Sequence, residues 1–253
     1  MLKNEQLLRY SRQIMLPEVE IAGQEAWLNA SVLIVGVGGL GSPVSMYLAA
    51  AGVGKLVLVD DDVVELTNLQ RQIVHNTDTI GMSKVESARQ TIAALNPDTE
   101  IVVIPKRLSD QQLAEQIADV DLVLDCTDNF STRFAVNDAC VQHKKPLVSG
   151  AAIRLEGQVA VFDSRQEDAP CYRCLYREGS DENLTCSESG VLAPLVGIIG
   201  SVQAMEALKV LAEVGEPLVG KLLLLDGRYM DWRSLKLRRD PECPCCGHQS
   251  KQN

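Results

Sequence analysis

The hexapeptide Gly36-Val37-Gly38-Gly39-Leu40-Gly41 constrains this chain most, because it stands between a β-branched apolar run and a helical stretch. In that context the glycines let the backbone turn tightly out of a strand, approach a phosphate and deliver it to a helix N-terminus. Asp60 ends the next apolar run, about 20 residues beyond the loop, where a carboxylate accepts hydrogen bonds from ribose hydroxyls. Gly36, Gly38, Gly39, Gly41 and Asp60 are therefore candidate nucleotide ligands. The plainer reading, a tight turn with no ligand, leaves Asp60 without a purpose. The glycines alone do not separate ATP from a dinucleotide such as NAD.

The surrounding pattern alternates. Residues 31–36, 55–60, 100–105, 121–125 and 146–150 are apolar on consecutive positions, as strands covered on both faces should be. Helical periodicity predicts helices over 41–51, 83–95, 111–118 and 131–143. Ser83 and Glu86 have the spacing of a capping box, and Asn96-Pro97 closes the helix they start. Beyond residue 150 the runs 157–163, 221–226 and 232–237 read as strands around a loop-rich stretch, 164–189, and extend the sheet in antiparallel fashion. Residues 1–30 read as a separate helical arm outside the sheet. The expectation is an α/β fold with a Rossmann-like mixed sheet, parallel in its N-terminal part with an antiparallel C-terminal extension. One domain spans 1–253: arm 1–30, nucleotide-binding part 31–150, and a remainder, 151–253.

At 253 residues and 46% hydrophobic, the chain can bury a full core. Its net charge of −10 disfavours a nucleic acid or an anionic membrane as partner. Lys3, Glu5, Arg9 and Arg12 interrupt the apolar stretch that a secretory signal needs. The longest apolar stretch, 191–199, soon meets Gln203, Glu206 and Lys209, so it reads as a buried helix or interface and not a span. A cytoplasmic setting follows, in which the eight cysteines are read for metal or redox chemistry before disulfides.

Asn68, Arg71 and Gln72 follow the second strand, and Lys84 opens the next helix. Two cations at the carboxyl edge of a parallel sheet suit a triphosphate better than a pyrophosphate. The string Asp125-Cys126-Thr127-Asp128-Asn129 ends another strand at the same edge and offers carboxylates for Mg²⁺. A dehydrogenase needs neither. Singly, Arg71 and Lys84 read as solvated charges and Asp128 as a helix cap; together at one sheet edge they favour ATP.

Cys171 and Cys174, with Cys243 and Cys246, form two CxxC pairs, a set that suits tetrahedral Zn²⁺. Their separation exceeds zinc-ribbon spacing, so the fold must join them. A redox dithiol or free buried thiols are the alternatives, and Cys245 competes as a ligand. Cys126 and Cys140 read as core thiols. Cys186 stands alone in the loop-rich stretch.

The strings RYSRQI, GVGGLG, LTNLQRQ, KVESAR, DCTDN, LVSGAAIRLEGQ and CYRCL resemble those of the MoeB/ThiF family, relatives of the ubiquitin-activating enzymes, from about residue 7 to residue 247. The resemblance implies an adenylyltransferase that activates the C-terminal glycine carboxylate of a ubiquitin-like sulfur-carrier protein with Mg·ATP. It implies that Gly39 lies against the nucleotide, that Asp60 binds ribose, and that Asn68, Arg71, Gln72 and Lys84 line the phosphates. Asp128, beside Asn129, supports Mg²⁺ and the adenylation geometry. Arg12 resembles an arginine that reaches the neighbouring subunit's site, which makes the enzyme a homodimer. Cys171, Cys174, Cys243 and Cys246 match a structural zinc site that pins the C-terminal tail, and Cys186 matches a loop cysteine that can bond to the activated carrier. On this resemblance 151–253 is the carrier-binding and zinc part.

KVESAR and LVSGAAIRLEGQ lean towards the MoeB branch, which activates the small subunit of molybdopterin synthase in molybdenum cofactor biosynthesis, over the ThiF branch, which acts on the thiamine-pathway carrier. Some relatives append a rhodanese domain after the tail. Without one, a separate sulfurtransferase or cysteine desulfurase is an implied partner. An NAD-dependent oxidoreductase and a tRNA-modifying dehydratase are the rival classes. The acidic charge and the CxxC pairs speak against the latter.

Overall fold

A computed structural model describes residues 2–177 and 189–247. The helical arm is α1 (Asn4–Arg9), α2 (Ser11–Ile14) and α3 (Glu20–Asn29). The alternating part follows as β1 (Ser31–Val35), α4 (Gly41–Ala51), β2 (Lys55–Val59), α5 (Lys84–Leu95), β3 (Glu100–Ile104), α6 (Asp110–Ala118), β4 (Leu122–Asp125) and α7 (Phe130–His143). The rest comprises β5 (Leu147–Ile153), β6 (Glu156–Phe162), the short α8 (Tyr172–Leu175), the twenty-residue α9 (Ala193–Ala212), β7 (Lys221–Asp226) and β8 (Asp231–Lys236).

All eight strands form one sheet in the order β3-β2-β1-β4-β5-β6-β7-β8. Pairing is parallel from β3 to β5 and antiparallel from β5 to β8. The expected mixed sheet is thus present. Because β2 and β3 build outward from one side of β1 while β4 and β5 build from the other, a crevice opens at the carboxyl ends of β1 and β4. In open α/β sheets ligands bind at this reversal.

The continuous apolar runs have a direct cause. Val32 and Ile34 of β1 face one layer, with Leu48 of α4, Ile92 of α5 and Ile199 of α9. Leu33 and Val35 face the other, with Ile117 of α6 and Val136 of α7. The apolar residues of β1, β2 and β4 are buried on one face or the other, at about 1.5–3 kcal/mol for a large aliphatic side chain, so these central strands carry no polar alternation.

Two expectations change and a third, the buried helix, is met. The arm is helical but not separate: Tyr10 is buried with its hydroxyl accepting from Asn96 Nδ2 (2.9 Å), Gln24 Nε2 donates to the Ala51 carbonyl (2.9 Å), and Trp27 Nε1 to that of Leu208 (2.9 Å). Ser83 does precede α5, yet its side chain makes no cap bond, its hydroxyl being buried without a partner among the described residues. The apolar stretch near 191–199 belongs to α9, which by length and composition could cross a bilayer. Here α9 lies against β5, β6, α4 and α3 and buries Gln203 and Glu206 inside the fold.

Candidate active site

The glycine loop leaves β1 and folds back on itself. Gly36 has φ +90, and a Cβ there would stand 2.9 Å from the Cys126 carbonyl oxygen, so the chain leaving β1 lies against the chain leaving β4. A Cβ on Gly41 would stand 2.0 Å from the Gly36 carbonyl oxygen. Gly41 therefore shapes the loop without lining the cavity, whereas Gly36, Gly38 and Gly39 are on its wall.

The Val37 residue at the loop's centre is held by both of its backbone groups. Its N–H donates to Asp60 Oδ2 (2.7 Å), and its carbonyl lies 3.1 Å from His75 Nε2. A carbonyl only accepts, so Nε2 carries the proton, and Nδ1 lies 2.9 Å from Ser87 Oγ. Burial pushes the His75 pKa down, and Lys84 adds to this against the opposing Val37 bond. Asp60 Oδ1 accepts the Asp62 N–H at 3.0 Å. Burial raises the Asp60 pKa against the pull of Lys84 and these two backbone bonds. Each oxygen of Asp60 keeps a second lone pair for a ribose hydroxyl.

These elements surround a cavity of about 260 Å³. Arg71, Gln72 and Lys84 line it with Asp60, Asp128 and Asn129. Lys84, the first residue of α5, is buried, with its Nζ 2.7 Å from Asp62 Oδ2. Gln72 is buried and its Oε1 has no hydrogen-bond partner among the described residues. Arg71 is half-buried, with Nη1 donating to the Thr67 carbonyl at 3.2 Å.

The end of β4 separates into structural and free carboxylates. Asp125 is buried; it accepts from Thr127 N (3.1 Å), Thr127 Oγ1 (2.7 Å) and Ser149 Oγ (2.9 Å). It is thus spent on the turn and not on a metal. Asp128 is exposed on the cavity wall and fits a metal-ligand role. The cap of α7 is Asn129, whose Oδ1 accepts from Thr132 N at 2.9 Å, so that amide oxygen is already engaged. Cys126 touches the cavity, yet burial, with the Asp125 charge, raises its pKa well above that of an ordinary thiol. Cys140 is likewise a core thiol.

Besides Gly41, two candidates are absent from the wall. Asn68 ends a 3-10 turn, Leu66–Asn68, and its Oδ1 accepts from Glu65 N at 3.1 Å. Arg12 is exposed on α2. Cys186 lies outside the described residues. The wall also carries three cations that the motif reading passed over: Lys106, Arg107 and Arg133. Lys106 and Arg107 directly follow β3, at the same sheet edge, and that position was a usable signal.

The four candidate ligand cysteines converge despite their separation in sequence. Sγ atoms of Cys171, Cys174, Cys243 and Cys246 all lie within 4.8 Å of one another. Cys171–Cys243 is 3.5 Å, Cys174–Cys246 3.4 Å and Cys171–Cys174 4.0 Å. Disulfide sulfurs would be about 2.05 Å apart. Four thiolates around a tetrahedral Zn²⁺, each about 2.3 Å from it, stand about 3.8 Å apart. Backbone N–H groups of Cys171 and Asp240 point at the Cys174 sulfur, both at 3.4 Å, as second-shell donors do at such sites. Cys245 is not one of the four; its Sγ accepts from Asn137 Nδ2 at 3.5 Å. The cluster is anchored to α7 by Tyr172 N donating to Asn137 Oδ1 (2.7 Å) and by the two-pronged Arg173–Asp138 pair.

A glycine loop, a carboxylate bonded to it and a set of cations around one cavity at the switch point of a mixed sheet define an α/β protein of the nucleotide-binding type. The ThiF family model matches residues 10–245, and the chain belongs to that family. It is 52% identical to the Escherichia coli molybdopterin-synthase adenylyltransferase over 97% of this chain and 98% of that one. It is 45% identical to the Escherichia coli sulfur carrier protein ThiS adenylyltransferase over 95% of each. Among solved structures, Escherichia coli MccB with MccA-N7isoASN superposes with a TM-score of 0.84 at 25% identity, over 94% of this chain and 75% of that one.

Proposed function

We propose that this chain adenylylates the C-terminal glycine carboxylate of a ubiquitin-like sulfur-carrier protein ending in Gly-Gly. A carboxylate oxygen attacks the α-phosphorus of ATP, the bond to the bridging oxygen breaks, pyrophosphate leaves, and an acyl-adenylate remains. The observation that carries the reading is the single cavity that gathers Gly38, Gly39, Asp60, Arg71, Gln72, Lys84 and Asp128 at the sheet's switch point. Such a reaction asks little covalent chemistry of the protein, and positioning and charge stabilisation dominate. Asp60 orients the ribose. Arg71 and Lys84 neutralise the departing pyrophosphate, and Asp128 holds Mg²⁺, which spreads the phosphate charge when bound. NAD would leave these cations without a task.

The preferred carrier is the small subunit of molybdopterin synthase, in molybdenum cofactor biosynthesis; the thiamine-pathway carrier is the second reading. The higher identity to the molybdopterin-synthase adenylyltransferase supports that order. The cysteine tetrad holds Zn²⁺ in a closed four-thiolate site, without an open position for catalysis. Arg12, exposed on α2, serves the partner's site in a homodimer. The setting is cytoplasmic, and sulfur comes from a separate sulfurtransferase or cysteine desulfurase. Carrier-dependent ATP–pyrophosphate exchange tests the reading: exchange with the molybdopterin-synthase subunit is expected, exchange with the thiamine carrier alone would reassign the branch, and exchange with neither would overturn the proposal.

A further inference from the structure

We infer that Arg133 is a positioning residue for Asp128: it fixes the turn that presents this carboxylate to the nucleotide, so that the adenylation rate depends on it more than nucleotide affinity does. The inference rests on the adenylation reading above.

Arg133 lies on the first turns of α7 and is only 9% exposed, although it borders the cavity. Its Nη2 donates to the Thr127 carbonyl at 2.6 Å. That carbonyl belongs to the peptide joining Thr127 to Asp128. The other side of Thr127 is held by Asp125, whose Oδ1 accepts both the Thr127 N–H and its hydroxyl. Asp125 is held in turn, its carbonyl by Gln203 Nε2 at 2.9 Å and its Oδ2 by Ser149. Arg133 Nε closes the ring as an ion pair with Asp125 Oδ2 at 3.8 Å. Thr127 is thus gripped through its N–H, hydroxyl and carbonyl. Asp128, one residue on, makes no side-chain hydrogen bond among the described residues. The direction of its carboxylate is set by the backbone that Arg133 and Asp125 hold.

A packing role alone does not account for an arginine here. Burying an ion pair contributes little net stability, and a hydrophobic side chain of similar volume usually does as well. The guanidinium keeps its charge in this place. Burial opposes ionisation, but Asp125 and Tyr172 outweigh it and the pKa is raised. The Phe130 ring, 5.9 Å from the guanidinium carbon, shields one side. What a buried, permanently charged fork supplies that an aliphatic chain does not is a fixed bond angle to the Thr127 carbonyl.

The test compares Arg133→Met, Arg133→Lys and Thr127→Val with wild type by three readouts: ATP affinity by titration, kcat of carrier-dependent pyrophosphate exchange, and the unfolding midpoint. A catalytic group displaced by about 1 Å loses about 100-fold in rate, and that loss in kcat is expected for Arg133→Met with ATP affinity unchanged. Arg133→Lys keeps the charge but loses the fork, and its kcat falls between the two. Thr127→Val cuts the hydroxyl bond on the opposite side of the same residue and reproduces a smaller loss of kcat alone. Weakened ATP affinity at unchanged kcat would make Arg133 a nucleotide ligand and overturn the inference; so would full kcat in the folded variants. Should Arg133→Met fail to fold, Arg133→Lys and Thr127→Val decide by the same criteria. A wild-type protein inactive with every carrier would defeat the adenylation reading, whereas an active wild type with unaffected variants defeats only the role of Arg133.

Discussion

Asp60→Asn separates binding from stability more sharply than any other single change. In the free protein two effects oppose. The amide keeps one acceptor oxygen, so one of the N–H groups of Val37 and Asp62 loses its partner. Leaving a buried donor unsatisfied costs about 1–3 kcal/mol. Against this, the raised Asp60 pKa shows that burying the carboxylate charge is itself unfavourable, and asparagine removes that charge. The two effects oppose, so the unfolding midpoint should fall by less than an unsatisfied buried donor alone would cost. ATP binding has no such compensation. A hydrogen bond to a charged group contributes about 1.5–3 kcal/mol, so loss of the ribose contact weakens ATP affinity roughly 10- to 150-fold at about 1.4 kcal/mol per tenfold. Calorimetric titration of ATP into both proteins, with thermal unfolding in parallel, reads both quantities. Unchanged affinity in a folded Asp60→Asn protein would refute the ribose assignment.

Other outcomes follow from the same geometry. Native mass spectrometry should find one zinc per chain, lost in Cys174→Ser with a lower unfolding midpoint; zinc-free wild-type protein would refute the tetrad as a metal site. His75 is held neutral with a pKa below its ordinary 6.5, so the unfolded chain binds a proton that the native one refuses. Its contribution is present above pH 6.5 and is lost as pH falls through the folded value, and His75→Gln, which keeps a donor for Val37, should flatten stability over that acidic range. An unchanged slope would contradict the neutral assignment. Arg12→Ala and Arg71→Ala should each abolish exchange while their mixture recovers part of it, because a hybrid dimer has one intact site; no recovery would remove the trans role of Arg12.

The residues gathered in the cavity were legible where chemistry and local backbone coincide. Gly36 needs a positive φ beside Cys126, Asp60 directly follows β2, and Lys84 opens a helix, so each residue's type and its place in a βαβ unit carry the same message. Asn68 and Arg133 show the limits. Asn68 shares a string with Arg71 and Gln72, but the 3-10 turn uses its side chain locally. Arg133 reads as an ordinary solvent-facing charge of a helix, and what buries it is a turn that its own bonds help to build, with Tyr172 arriving from a distant segment. The helical arm misled for a similar reason: Tyr10 and Trp27 find partners at Asn96 and Leu208, and no local periodicity encodes such pairings. In α9, Gly197 and Gly200 interrupt the helical signal, yet at Gly200 a Cβ would stand 2.6 Å from the Leu40 carbonyl oxygen, so the glycine serves close packing.

On the proposed function, a carboxylate becomes an acyl-adenylate in the cavity at the ends of β1 and β4. Incubation of the protein with Mg·ATP and the molybdopterin-synthase small subunit, followed by intact-mass analysis of the carrier, tests it most directly. A carrier bearing one AMP at its terminal glycine is expected, with one pyrophosphate released per adduct, and no adduct with Lys84→Met. A carrier of unchanged mass beside intact ATP, or pyrophosphate release with AMP on any other group, would contradict it.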